Sequence, residues 1–131
     1  MTIFTFGYGN RTSHNQLIKY FQSREIKYLI DVRFTPYGWS SLWHCTELEK
    51  VCKNNGVQYI SKKDLGNTSG KPEWVPPDKK RASIALQDVA KLCKDYNIIL
   101  MCSELDVKRC HRKEIAERLE KMVDKIVIHL S

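Results

Sequence analysis

The segment CSELDVKRCHR, at residues 102–112, concentrates the side chains that are best suited to catalysis. It holds two cysteines, a glutamate, a histidine and two arginines within eleven residues. Thiol, carboxylate and imidazole groups can act as nucleophile, acid or base in enzymes. The candidate catalytic residues are therefore Cys102, Glu104, Cys110 and His111.

Cys110, His111 and Arg112 are predicted to lie in the first turn of a helix that runs from about residue 108 to 122. The N–H groups and the dipole at such a helix end favour anions and lower the pKa of thiols. Arg112 is therefore a candidate for binding an anionic group of a substrate. In the alternative interpretation, the two cysteines are small packing residues and His111 only caps the helix.

Two further polar groups are predicted to share one edge of a sheet with this segment. Tyr8 and Asn10 follow the first predicted strand, and Asp31 and Arg33 end the second. Ligands of parallel α/β sheets bind outside the carboxyl ends of the strands. We therefore predict that these four residues bind substrate in one cleft. In the alternative interpretation, GYGN is only a tight turn and Asp31 and Arg33 form a structural ion pair.

The elements that must position these residues alternate along the chain. Strands are predicted at residues 2–6, 26–32, 57–60, 97–102 and 125–130, and helices are predicted after Ser13, after Thr46, at about 80–95 and at about 108–122. This alternation predicts an α/β fold, in which a mostly parallel sheet of about five strands has helices on both faces. The length of 131 residues suits one three-layer domain, residues 1–131.

Charge and composition favour an anionic partner, such as a nucleotide or nucleic acid. The chain has a net charge of +7 and a pI near 9.2. No apolar run approaches the roughly 18 residues that span a membrane. The first ten residues lack the features of a signal peptide. Five cysteines, an odd number, fit a reducing compartment. The sequence thus predicts a cytoplasmic protein without a membrane partner.

Two predicted loops bear on the ligand. The loop at residues 34–43 carries Phe34, Tyr37, Trp39 and Trp43 beside a basic residue, which suits stacking on bases. We expect at least two of these four rings to pack into the core or against a second copy of the chain. The loop at residues 61–79 is long enough to act as a lid or a binding loop. The basic residues around it are Lys62, Lys63, Lys79, Lys80 and Arg81.

A metal site is a further interpretation, because Cys102, Cys110 and His111 can join His44 and Cys45. Zinc sites usually contain short paired spacings, such as two residues between two cysteines. Such a spacing does not occur in this sequence. The sequence therefore predicts neither a metal nor a cofactor.

Five motifs occur in order along the chain: TFGYGN, IDVRFTP, YISKKDLG, CSE and CHR. Together they resemble the bacterial and archaeal family called domain of unknown function 488, over nearly the whole chain. The resemblance implies a three-layer α/β fold but no particular reaction. It also implies one cleft, built from Tyr8, Asp31, Arg33, Cys102, Glu104, Cys110, His111 and Arg112. Between Pro36 and Thr46 the chain departs from the family, which commonly has a basic stretch with an Asn-Lys pair there.

A second resemblance is to rhodanese-type sulfurtransferases, in which a DVR strand precedes a catalytic cysteine that follows a later strand. This resemblance implies that Cys102 is the catalytic cysteine. The loop after Cys102 lacks the compact C-x-x-G-x-R anion cradle, however, and the charge of Glu104 opposes a nearby thiolate.

Three functional hypotheses follow. The leading one is an enzyme that acts on a nucleotide or nucleic acid by hydrolysing a glycosidic or phosphate bond, with Glu104 and His111 as acid–base or nucleophilic groups. The second is rhodanese-like sulfur or redox chemistry, in which Cys102 or Cys110 is the nucleophile. The third is a nucleic-acid-binding module without catalysis, whose binding weakens steeply with salt.

Overall fold

The computed structural model describes residues 2–131, which form a five-stranded sheet between two layers of helices. The strands are β1 (Thr2–Gly7), β2 (Ile26–Asp31), β3 (Gln58–Ser61), β4 (Asn97–Cys102) and β5 (Ile126–His129). The helices are α1 (Asn15–Ser23), α2 (Cys45–Asn54), α3 (Lys79–Asp95) and α4 (Arg112–Val123). Short 3-10 helices occupy Ser41–Trp43, Lys63–Leu65 and Val107–Arg109. The predicted α/β class, with helices on both faces of the sheet, is confirmed.

All strand pairs are parallel, in the order β3-β2-β4-β1-β5. The central strand β4 is apolar nearly throughout and buried from Ile98 to Cys102, as expected for a strand that is covered on both faces. Gly7 of β1 pairs with Cys102, and Asp31 of β2 pairs with Met101. The ends of β1, β2 and β4 therefore lie side by side.

Alternating side chains of the strands divide the core into two layers. Phe4 and Phe6 of β1 pack with α1 and α2, whereas Ile3 of β1 and Ile30 of β2 pack with α3 and α4. The longest described helix, α3, has 17 residues. Within residues 2–131, none of the helices has the length and apolar content that crossing a membrane requires.

The connections leave the three central strands in different directions. The connections after β1 and β2 pass over the α1–α2 face, whereas the connection after β4 passes over the α3–α4 face. Adjacent strands whose connections diverge leave a crevice at their carboxyl ends. Since β4 lies between β1 and β2, such a crevice opens on both sides of its end.

The start of α4 differs from the prediction. The helix begins at Arg112, not near residue 108, so Cys110 and His111 precede its first turn. The Asp106 side chain accepts a hydrogen bond from the N–H of Lys108 and caps a separate 3-10 turn over Val107–Arg109. Such local side-chain bonds compete with the start of a helix. This turn separates the CHR motif from the end of β4.

Candidate functional site

A cavity of about 570 Å³ opens at the carboxyl ends of β1, β2 and β4. This volume lies in the range of small-molecule sites, and the position is the crevice that the diverging connections create. We call this cavity the cleft. The predicted site residues that line it are Tyr8, Arg33, Cys102, Glu104, Cys110 and His111.

The other three predicted site residues are not among those that line the cleft. Asp31 and Arg112 are fully buried, and each is bonded to residues that do line it. Asn10 is exposed in the turn after β1. Asp31 and Arg112 therefore support the cleft from beneath, whereas Asn10 lies outside its lining.

Asp31 and Arg33 form a buried ion pair. Arg33 Nε donates to Asp31 Oδ1 at 2.9 Å, and Arg33 Nη2 donates to Oδ2 at 2.7 Å. Burial alone would lower the pKa of Arg33, but the hydrogen bonds and charge of Asp31 outweigh it and raise that pKa. The Tyr59 hydroxyl also donates to Asp31 Oδ2, at 2.5 Å. Burial and the charge of Asp31 raise the pKa of Tyr59. Hydrogen bonds thus hold the Asp31–Arg33 pair in one geometry, and its two charges neutralise each other.

Tyr8 is held between this ion pair and an aromatic ring. Arg33 Nη1 donates to the Tyr8 hydroxyl at 3.4 Å. The Tyr8 ring stacks on Trp43, with ring centres 4.8 Å apart and planes 6° from parallel. Trp43 Nε1 donates to the carbonyl of Arg11 at 3.0 Å. Tyr8 therefore presents a fixed ring and hydroxyl to the cleft.

The remaining rings of the aromatic loop stay exposed. Phe34, Tyr37 and Trp39 are 50, 60 and 65% exposed, whereas Trp43 is buried. Within this chain, one of the four rings joins the core, because Trp43 alone reaches the layer that contains α1 and α2. Packing of a second ring against another copy of the chain stays a prediction. Phe34 and Tyr37 line the cleft.

Cys102 and Cys110 meet at the cleft. The structure joins their sulfurs in a disulfide, with Cα atoms 7.3 Å apart. Arg112 Nη1 donates to Cys102 Sγ at 3.0 Å, and His111 Nδ1 lies 3.7 Å from Cys110 Sγ. Each sulfur therefore has its own polar neighbour.

Arg112 holds the turn that follows β4. Its Nη1 donates to the carbonyl of Glu104 at 2.5 Å, and its Nη2 donates to that of Leu105 at 3.2 Å. Burial lowers the pKa of Arg112 to about 10, against the opposing charges of Glu104 and Asp106. The guanidinium is still protonated at neutral pH. These two hydrogen bonds from Arg112 fix the backbone position of Glu104.

His111 is buried in its neutral form. Its Nε2 lies 2.9 Å from the carbonyl of Val32 and must carry the proton to donate to it. Burial lowers the pKa of His111, although its backbone hydrogen bonds to Val32 and Leu65 act in the opposite direction. With the proton on Nε2, Nδ1 is an acceptor that faces Cys110.

The model of the family described as domain of unknown function DUF488 matches residues 13–119, which is most of the chain. The chain belongs to the DUF488 family. No curated protein and no solved structure matches it. The matched range contains β2, β4 and the CHR motif. In this DUF488 protein, residues of both motifs, at 31–33 and at 102–112, line the cleft.

The mouth of the cleft in this DUF488 protein includes residues that the sequence did not single out. Lys71 and Arg109 are exposed and line the cleft with Glu104. The signals for them were weak: Lys71 lies in the loop predicted to bind a ligand, and Arg109 lies within the central motif. Tyr59 carried no signal, because only the pairing of β3 with β2 brings it beside Asp31.

Metal ligands do not assemble in the described part of this DUF488 protein. Within residues 2–131, no group of three or more His, Cys, Asp or Glu side chains is positioned to hold a metal ion. Cys102 and Cys110 are bonded to each other, and Cys45 is a free cysteine in the first turn of α2.

Proposed function

We propose that this DUF488 protein is an enzyme that binds a nucleotide, or the end of a nucleic acid, in the cleft and hydrolyses a glycosidic or phosphate bond. One observation carries the proposal: the mouth of the cleft combines exposed aromatic rings, exposed cations and one exposed carboxylate. These residues are Phe34, Tyr37, Lys71, Arg109 and Glu104.

The rings and cations suit the two halves of a nucleotide. Phe34 and Tyr37 are large apolar rings in contact with water, and stacking on a base contributes about 1–3 kcal/mol per ring. Lys71 and Arg109 can bind the phosphate, since neither is paired to a carboxylate within the described residues. The net charge of +7 attracts the same anions from solution.

Glu104 is the group that we assign to the chemistry. It is exposed at the cleft, and the bonds from Arg112 to the carbonyls of Glu104 and Leu105 fix the turn that carries it. In the reaction, Glu104 takes a proton from water while the water oxygen attacks the anomeric carbon or the phosphorus. The bond from that atom to the leaving group breaks, the leaving group departs with the electron pair, and the proton held by Glu104 passes to it directly or through solvent. The Tyr8 hydroxyl, held by Arg33, orients the substrate. His111 supports the floor, since its Nε2 proton is engaged by Val32.

The test is turnover of a panel of nucleotides and short oligonucleotides by the full chain, with products separated by chromatography. Glu104→Gln should keep the binding affinity and lose about a hundredfold or more in kcat, the usual contribution of a general base. Glu120→Gln, an exposed carboxylate on α4, is the matched control and should behave as wild type. Binding without turnover would contradict the proposed hydrolytic activity and favour a nucleic-acid-binding module without catalysis. Absence of binding would contradict both.

A further inference from the structure

Arg112 is a buried cation without a buried anion. It is fully buried, and among residues 2–131 it forms no ion pair, whereas Arg33 contacts Asp31 at 2.7 Å. Arg112 Nε has no hydrogen-bond partner in the described part of the chain. An unpaired buried charge is costly, and a nearby group that can become negative relieves that cost. Cys102 Sγ, 3.0 Å from Arg112 Nη1, is such a group.

Cys110 has a different neighbour. His111 Nδ1, the unprotonated ring nitrogen, lies 3.7 Å from Cys110 Sγ and can accept the thiol proton. The backbone N–H of Arg112 donates to the same sulfur at 3.5 Å. A thiol beside a neutral imidazole is the arrangement in which a histidine activates a cysteine. The two sulfurs are therefore differentiated, one by a fixed cation and the other by a base.

From this geometry we infer that Cys102 and Cys110 form a thiol–disulfide exchange site on the floor of the cleft. Cys102 is the attacking thiolate, stabilised by the buried Arg112 against the opposing charge of the exposed Glu104, and Cys110 is the resolving thiol, activated by His111. Both cysteines line the cleft, but only 2% of Cys102 and 6% of Cys110 is exposed, so we take the reaction partner to be a small disulfide and not a protein. This activity goes beyond the proposed nucleotide chemistry and does not depend on it.

The free cysteines lack these features. Burial raises the pKa of the Cys52 and Cys93 thiols to about 12, and both lie in the helical layers of the core. Cys45 is half-buried at the start of α2 and does not line the cleft.

The exchange balances with a low-molecular-weight disulfide, RSSR, as the oxidant. The Cys102 thiolate attacks one sulfur of RSSR, which forms a mixed disulfide on Cys102 and releases the first RS⁻. Cys110 loses its proton to His111 Nδ1 and attacks the Cys102 sulfur, which forms the Cys102–Cys110 disulfide and releases the second RS⁻. The proton that Cys102 released to solvent on ionising and the proton that Cys110 gave to His111 are taken up by the two RS⁻ ions, which leave as RSH. The protein dithiol is oxidised by two electrons, and RSSR is reduced by two.

The first experiment measures ionisation of Cys102 in the reduced full chain. The ultraviolet absorbance of the thiolate is followed with pH in Cys110→Ser, and the Cys102→Ser/Cys110→Ser double variant supplies the baseline. We expect Cys102 to be half-ionised at least one unit below the ordinary thiol value of about 8.5. Arg112→Gln, made in Cys110→Ser, should move that midpoint upward. A midpoint of Cys102 at or above the ordinary value would overturn the inference, whether or not Arg112→Gln folds.

The second experiment incubates the reduced full chain with glutathione disulfide and contains no nucleotide. We expect release of two thiols per chain and a single disulfide, mapped by mass spectrometry to Cys102 and Cys110. Cys110→Ser should stop at the mixed disulfide on Cys102, and Cys93→Ser should behave as wild type. A mixed disulfide on Cys45 alone, or no reaction at either cleft cysteine, would overturn the inference. Nucleotide turnover has no part in these readouts, so failure here is distinct from failure of the proposed function.

Discussion

The carboxylate of Asp31 and the guanidinium of Arg33 face each other across two hydrogen bonds in a buried layer beneath the cleft. Asp31 ends β2 and Arg33 follows two residues later, so their side chains point to the same side of the chain. The two side chains form an ion pair, and substrate binding by them stays a prediction. Arg33 also lines the cleft and donates to the hydroxyl of Tyr8.

Asp31→Ala should destabilise the protein by about 3–5 kcal/mol, because it leaves the charge of Arg33 buried and unpaired. Urea unfolding measures the loss. Glu114→Ala is the matched control, since it also breaks a carboxylate–arginine pair, with Arg118, but on an exposed face of α4. The control should cost less than about 1 kcal/mol. If both variants lost the same free energy of unfolding, the buried Asp31–Arg33 pair would contribute no more to stability than an exposed pair.

Gly7→Ala should lower the free energy of unfolding by about 3 kcal/mol. The added methyl group would overlap the carbonyl of Glu104, and a backbone carbonyl cannot rotate away. Gly56→Ala has open space around the new methyl group but a positive φ of 69°. Its cost should stay near 1 kcal/mol, from backbone strain alone. Urea unfolding of both variants compares a steric cost with a conformational one. A smaller loss for Gly7→Ala than for Gly56→Ala would contradict the close approach of β1 to the turn after β4.

Acid should destabilise the protein partly through His111. Burial lowers the pKa of His111 in the folded state, so below the ordinary value of about 6.5 the unfolded chain binds more protons than the folded one. The stability contributed by neutral His111 is thus present at pH 7.5 and declines as the pH falls toward 5.

His111→Gln does not titrate in this range, so the stability difference between wild type and His111→Gln should narrow as the solution is acidified. Urea unfolding at pH 7.5 and pH 5 gives the comparison. Ser83→Ala, an exposed change on α3, should stay parallel to wild type. A His111→Gln curve that is also parallel to wild type would rule out the linkage.

Phe34→Ala and Tyr37→Ala should each weaken nucleotide binding by about tenfold, which is the stacking contribution of one ring. Isothermal titration calorimetry measures the dissociation constant of a nucleotide that the full chain binds. Tyr96→Ala removes an exposed ring that lies beyond the cleft and serves as the control. If Tyr96→Ala weakened binding as much as the other two variants, the rings of the cleft would not be the binding surface.

The strands could be predicted closely because their signals are local. Each end of a predicted strand agrees with the observed end or differs from it by one residue. The ends are well marked because apolar runs such as NIILMC are bounded by polar or glycine residues. The start of α4 could not be predicted as well, because the 3-10 turn capped by Asp106 competes with the helix over a few residues. Whether the 3-10 turn or the helix forms over these residues depends on how the turn packs, and the pattern of apolar residues carries no information on that packing.

For the cleft, the sequence predicted the strand ends but not the support beneath them. Cys102 was placed by strand register, which is simple to count. Arg112 was predicted to bind substrate, yet it lies beneath the cleft and bonds to backbone carbonyls. Lys71 reaches the mouth only because the loop at residues 61–79 folds back over the cleft. A loop that packs against a distant part of the chain in this way produces no periodic pattern in the sequence.

The order of the strands has a consequence for biosynthesis. The two neighbours of β1 in the sheet are β4 and β5, and both are translated after residue 96. While the ribosome is still making α3, β1 has no neighbouring strand with which to pair, and β2 can pair only with β3. Completion of the sheet must therefore wait until residues 97–129 are made, and such distant pairings are slow to form. During that interval the unpaired edge of β1 is open to other nascent chains, so protection by a chaperone would matter most then.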